Sequence, residues 1–339
     1  MSELLKVENL HVNFHTYAGE VKAVRGVSFS LEKGEVLAIV GESGCGKTVT
    51  SKAIMRLLDR TSGEIEKESV IELFGKNMVT MSKRELNKIR GKDISMIFQD
   101  SMTSLNPTMT IGKQIMENIL VHEKVGKQEA KRRALELLKL VEIPNAEERL
   151  NNYPHQMSGG MRQRAMIAVA LACNPKVLIA DEPTTALDVT IQAQLMDLLK
   201  NIQKKTEMAV ILVTHDLGVV ANFADRVQVM YAGAVMERGS VHDIFKAPRH
   251  PYTWALLSSM PGRIQESKSE LYALRGTPPD LRRPIKGCPF AERCEYRMSI
   301  CLKETPEEFP VGEGHSAACW LCHPMAPKVE PPKGIGGEG

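Results

Sequence analysis

The segment Gly41-Glu-Ser-Gly-Cys-Gly-Lys47-Thr48 constrains this 339-residue chain more than any other. It fits the spacing G-x-x-x-x-G-K-[ST], follows an apolar run over 36–40 and opens a helical pattern over 47–58. A glycine-rich turn between a buried strand and a helix aims successive backbone N–H groups at one point, and the helix N-terminus adds the positive end of its dipole. Such a turn holds phosphate. Gly41, Glu42, Ser43, Gly44, Cys45 and Gly46 form the cradle, Lys47 reaches the β- and γ-phosphates, and the Thr48 hydroxyl takes a place on Mg²⁺. A chance glycine turn followed by Lys-Thr would need neither flank, and here both are present.

Four apolar runs of strand length lie at 36–40, 94–98, 177–180 and 208–213. They are continuous rather than alternating, which suits strands buried on both faces of a parallel sheet. Helical patterns over 47–58, 127–140, 161–172 and 190–204 fall between or after them. The fold expected is α/β, a P-loop NTPase core of the RecA-like kind. Residues 1–35 alternate apolar and polar positions around a Tyr-Ala-Gly turn and predict a small antiparallel N-terminal subdomain. Residues 105–157 carry helical periodicity without a strand, bounded by Asn106-Pro107 and Tyr153-Pro154, and predict a helical subdomain. After about residue 246 prolines interrupt the chain repeatedly, and residues 324–339 are expected to be a disordered tail.

The charge balance, 44 Lys and Arg against 41 Asp and Glu, shows no basic excess of the kind that grips nucleic acid by bulk charge. No apolar run approaches the roughly 18 to 20 residues of a spanning helix, and the first residues lack the apolar core of a secretory signal. A cytoplasmic protein is expected. Five of seven cysteines (Cys288, Cys294, Cys301, Cys319 and Cys322) crowd a short C-terminal stretch, which in a reducing compartment suggests a metal site rather than disulfides.

Parallel strands deliver ligands at their carboxyl ends, and chemically apt residues stand at three more such ends. Asp181 and Glu182 end the run 177–180: one carboxylate can hold Mg²⁺ through water and its neighbour can orient or deprotonate the attacking water, roles assigned in that order. Gln99 follows the run 94–98 and can offer its carbonyl to Mg²⁺ and its amide to that water. His215 follows the run 208–213 and can donate an imidazole hydrogen bond to a γ-phosphate. Taken singly these would be a helix cap or turn, a surface glutamine and a solvated histidine; their common placement lifts all three.

Ser158-Gly159-Gly160-Met161-Arg-Gln-Arg, about twenty residues before Asp181, resembles the signature sequence of ATP-binding cassette (ABC) ATPases. The resemblance spans residues 4–245. It takes in Gly41 to Thr48, Gln99, the signature, Asp181-Glu182, Ala186-Leu187-Asp188 and His215 in that family's order. The chain departs from it at Met161, where the family usually has Gln. The resemblance implies a cassette over 1–245 that binds ATP and Mg²⁺ and pairs head to tail with a second cassette. Ser158, Gly159 and Gly160 would complete the partner's phosphate site, and Asp188 would cross the dimer boundary. It also implies an aromatic ring stacked on adenine, with Tyr17 matching the spacing better than Phe14 or His15.

His250-Pro251-Tyr252-Thr-Trp-Ala-Leu-Leu and the cysteine stretch resemble the extension on ATPase subunits of oligopeptide and dipeptide importers, close to the D-type subunit. That implies an extension over 246–323 with a [4Fe-4S] cluster on Cys288, Cys294, Cys301 and Cys319. By their chemistry alone four thiolates suit zinc or an iron–sulfur cluster, and gaps of five and six residues fit loops around the larger group. Cys322 could replace Cys319, or the cysteines could be uninvolved; Cys45 and Cys173 are not ligand candidates. The resemblance implies an ATPase that powers peptide import from the cytoplasmic face of the cell membrane as a peripheral subunit. Two membrane permease subunits, a second, similar but non-identical ATPase and, indirectly, a peptide-binding protein would be its partners, with no nucleic acid. Two rivals are a soluble cassette ATPase acting on nucleic acid or ribosomes with a zinc-binding C-terminus, and a regulator that dimerises on ATP without hydrolysis.

Overall fold

The computed structural model describes residues 3–59, 61–184, 188–260, 274, 276–332 and 334–336. The chain forms two compact units, one of residues 1–6, 30–36 and 72–213, the other of 7–29, 37–71 and 214–339. The second unit therefore contains both the phosphate-loop segment and the C-terminal extension.

In the first unit, strands Ile94–Ile97, Val177–Asp181 and Ala209–Thr214 lie side by side in parallel, with Ile94 opposite Val177 and Val177 opposite Ala209. Every residue in them is buried, as continuous β-branched and aliphatic runs demand. The first ends one residue earlier than its apolar run, leaving Phe98 exposed. No strand interrupts 105–157 among the described residues, and helices Ile111–His122 and Lys127–Leu140 lie within it. The second of these buries Ala130, Ala134, Leu137 and Leu138, one stripe at helical spacing. Arg132 on the same helix reaches Glu129 at 2.6 Å and Glu136 at 2.5 Å. Gln114 fastens the turn that enters this region, donating to the carbonyls of Asn106 and Met109 at 3.0 and 3.1 Å.

The second unit holds strand Val36–Val40 from Leu37 onward, parallel to Arg226–Tyr231, which continues antiparallel through Ala234–Ser240, His315–Ala317 and Phe309–Gly312. These last four strands had no counterpart among the apolar runs. The tight turn of the hairpin places Ala232 and Gly233 at φ of 48° and 82°, the left-handed pair that matches strand twist, but without the usual Asn-Gly signal. In the N-terminal region Glu3–Thr16 neighbours Gly19–Glu32 and pairs antiparallel with Gly63–Ile65 over Val12–Phe14. Its buried positions step from Leu5 and Val7 to Leu10 and Val12; Asn9, at φ 48°, absorbs the change of phase.

Helix Pro251–Ser258 starts with proline at its first position and is capped by His250, whose Nδ1 accepts from the Tyr252 N–H at 2.9 Å. Glu237, 1% exposed, ties the extension to the strand it sits on: its carboxylate accepts from the backbone N–H groups of Arg249 and His250 and contacts His315 Nε2 at 2.8 Å. Ile335 is 4% exposed, in a cluster with Tyr252, Trp254 and Phe290, and Val329 packs against it. These two scattered aliphatic residues pack there because the extension supplies an aromatic surface for them. Among the described residues no helix is long and apolar enough to cross a membrane.

Candidate functional site

Within the second unit the segment Gly41 to Thr48 is a nest of backbone N–H groups. Gly41, Gly44 and Gly46 take φ of 154°, 79° and 105°, conformations that L side chains avoid. Helix Lys47–Ile54 follows, shorter than the expected 47–58 because Arg56 turns to φ 54°. Gly46 caps it without a side-chain hydrogen bond, so its first N–H groups face no capping oxygen from that residue. Lys47 is 4% exposed and donates to the carbonyls of Gly41 and Glu42 at 2.8 and 3.0 Å, which folds its ammonium over the loop. Cys45 is packed beneath; burial pushes its thiol pKa up, and its carbonyl accepts from the Gly233 N–H at 2.9 Å. His215 is exposed directly after strand Ala209–Thr214, ahead of the short helix that Asp216 caps through the N–H groups of Gly218 and Val219. Tyr17 stands fully exposed in the turn between the first two strands, while Phe14 is half-buried and His15 is 2.9 Å from Glu64.

Within the first unit, Asp181 is the buried last residue of its strand, and Glu182 turns off it at φ 45°. That is a strained backbone for a non-glycine residue and a frequent mark of functional sites. The Glu182 N–H donates to the Val213 carbonyl at 2.8 Å, which holds the turn. Gln99 Nε2 donates to Glu182 Oε2 at 2.8 Å, so the two residues assigned to the attacking water meet although 83 positions separate them. Ser158 accepts from the Met161 N–H at 3.3 Å and opens helix Gly159–Ala170, two residues before the expected start. Asp188 accepts from the Ile191 N–H at 3.0 Å and opens helix Val189–Thr206. The two helix starts adjoin: a Cβ on Gly160 would stand 3.3 Å from Ile191 Cγ2. Ala186 and Leu187, named with Asp188 in the signature reading, lie outside the described residues. Gln163, not singled out in the sequence, is 2% exposed and donates to the Pro183 carbonyl, tying the signature helix to the turn after Glu182.

Comparisons with known proteins decide between the readings this geometry permits. Residues 24–185 match the ABC transporter family, and 236–301 match the oligopeptide/dipeptide transporter C-terminal region. An oligopeptide transport ATP-binding protein, OppD, of Bacillus subtilis (strain 168) is 57% identical over 99% of this chain and 93% of its own length. A dipeptide transport ATP-binding protein, DppD, of Lactococcus lactis subsp. cremoris is 55% identical over 98% of this chain and 95% of its own. The chain belongs to the ATP-binding subunits of oligopeptide and dipeptide ABC transporters. Among solved structures, the dimeric bacterial ABC transporter cassette MJ0796 is 30% identical with a TM-score of 0.63, over 70% of this chain and 99% of that one. The fold of this peptide-transporter subunit is thus the α/β P-loop cassette.

Among the described residues of the transporter extension no group of three or more His, Cys, Asp or Glu is placed to hold a metal ion. Burial pushes the thiols of Cys288 and Cys294 up to about 11; Cys301 adds to the first, and Cys288 and Cys301 to the second. They pack as small apolar groups against the aromatic cluster. Cys319 and Cys322 form a close pair: their mutual hydrogen bond, then burial, raises the pKa of Cys319, and the same hydrogen bond lowers that of Cys322 against the effect of burial.

Proposed function

We propose that this chain is the ATP-hydrolysing subunit of a peptide importer. The observation that carries the reading is the phosphate loop Gly41 to Thr48, with three glycines at positive φ and the Lys47 ammonium folded over it. The oligopeptide and dipeptide transport relatives at 57% and 55% identity favour it over the ribosomal alternative. ATP binds through the loop, with Lys47 on the phosphates and Tyr17 against adenine. Mg²⁺, when bound, neutralises phosphate charge and is held by Thr48, Gln99 and Asp181. Glu182 takes a proton from the attacking water, which Gln99 helps to orient, and His215 donates to the γ-phosphate. Ser158, Gly159, Gly160 and Asp188 serve the site of a second cassette.

The cassette extends over 1–245, with the helical subdomain at 105–157 meeting the permeases, and the extension over 246–323. Its partners are two permease subunits, a second and non-identical ATPase and, indirectly, a peptide-binding protein, on the cytoplasmic face of the cell membrane. Pull-down of the tagged chain from detergent-solubilised membranes should recover two integral-membrane subunits and a second ATPase, with Mg²⁺-dependent ATP turnover. Recovery with ribosomes and no membrane subunit would sink the reading.

A [4Fe-4S] cluster on Cys288, Cys294, Cys301 and Cys319 is supported by resemblance alone. Anaerobic purification with iron and sulfide analysis tests it. About four irons and four sulfides per chain, lost in Cys288→Ser, would sustain the cluster, and neither iron nor sulfide would leave these residues as packing groups.

A further inference from the structure

Glu42 places a carboxylate inside the loop that is to hold a triphosphate, where like charge opposes binding. It is answered from the far end of the sequence. Arg293 Nη1 lies 2.6 Å from Glu42 Oε2 and Nη2 lies 3.0 Å from Oε1, a fork-on-fork pair. The two side chains are 5% and 25% exposed, so water screens the pair weakly. Nη1 also donates to the Tyr231 hydroxyl at 3.1 Å, and the guanidinium sits 5.6 Å from the Tyr231 ring centre and 5.9 Å from that of Phe290. The same loop residue is held by its backbone: the Glu42 N–H donates to the Tyr252 hydroxyl at 2.9 Å. Tyr231, Tyr252 and Phe290 pack ring on ring at 4.7 to 5.3 Å and brace both contacts. Arg293 lies in the turn that Cys288 and Cys294 bracket, its N–H donating to the Phe290 carbonyl at 3.0 Å.

We propose that Arg293 is a positioning residue for nucleotide binding: it neutralises and orients Glu42, so that the C-terminal extension sets the affinity of the phosphate loop for a nucleoside triphosphate. The inference rests on the ATP-binding reading above and deepens it. Packing of the extension alone would give a different pattern. If Arg293 acts through charge, its loss is harmful because Glu42 is left unpaired, and removing that charge too should repair the loop.

The test is titration of the full-length chain with Mg-ATP, by calorimetry, for wild type, Arg293→Ala, Arg293→Lys, Glu42→Gln and the two double variants carrying Glu42→Gln. Arg293→Ala should raise the Kd about tenfold, and Arg293→Lys, which keeps the charge but not the fork, about threefold. Each double variant should return to within about twofold of Glu42→Gln alone. Unchanged Kd in Arg293→Ala, or a double variant as weak as its Arg293 parent, overturns the proposal. If Arg293→Ala does not fold, the Arg293→Lys pair decides by the same comparison. A wild-type chain that binds no Mg-ATP overturns the ATPase reading itself, and the proposal with it.

Discussion

Glu182→Gln is expected to leave Mg-ATP binding intact and to lower ATP turnover by about 10² to 10⁴-fold, the range for loss of a positioned general base. The substitution changes little besides basicity. Glu182 is held by its backbone, with φ 45° and an N–H to the Val213 carbonyl at 2.8 Å, so the side chain leaves the strand in the same direction in either form. The Gln99 amide, which donates to Oε2 at 2.8 Å, can donate equally to a glutamine carbonyl. What disappears is the capacity to take a proton from water. Single-turnover hydrolysis in the assembled complex, with binding measured on the same preparation, separates the two effects. Wild-type turnover in the variant would mean that Glu182 is not the base. Weakened binding with unchanged turnover would make it a phosphate-site residue instead.

Gly41→Ala is expected to cost about 3 kcal/mol of stability or more and to abolish ATP binding. A Cβ there would stand 2.1 Å from the Met230 carbonyl oxygen and 2.8 Å from Cys45 Sγ, at φ 154°. The backbone atom cannot retreat, because Met230 is fully buried in a strand paired with Ala234–Ser240. Nor can Gly41 shift freely, since its carbonyl accepts from Lys47 Nζ at 2.8 Å. Gly44→Ala is the control: the same loop, φ 79°, but nothing within 4 Å, so only the left-handed penalty of about 1 to 2 kcal/mol applies. Denaturant unfolding and Mg-ATP titration of both variants check this. Equal stabilities would show that close approach of the loop to the Met230 carbonyl does not govern position 41.

Much of the cassette was legible because its signals are local. The phosphate loop is eight consecutive residues whose glycines need only their own φ, and the buried parallel strands announce themselves by the apolar runs at 94–98, 177–180 and 208–213. Helix Lys127–Leu140 began and ended where its periodicity said. Strand 226–231 was missed although its apolar content is high, because its hairpin partner and turn carry no alternation or Asn-Gly signal. The packing of Ile335 was illegible for a related reason: it has no apolar neighbours in sequence and acquires them only where the extension folds.

The sequence by itself determined the family, the phosphate loop, the carboxylates at a strand end and the signature helix, since each depends on residues within a few positions of one another. Only the tertiary structure decided that Gln99 meets Glu182, that a buried Glu237 anchors the extension, that Cys288 and Cys294 pack against its aromatic cluster, and that Arg293 pairs with Glu42 across 251 positions. These are contacts between single side chains on separate elements. Their energy comes from burial and pairing that exist only after the chain has closed on itself, and no periodicity or spacing along the sequence encodes them.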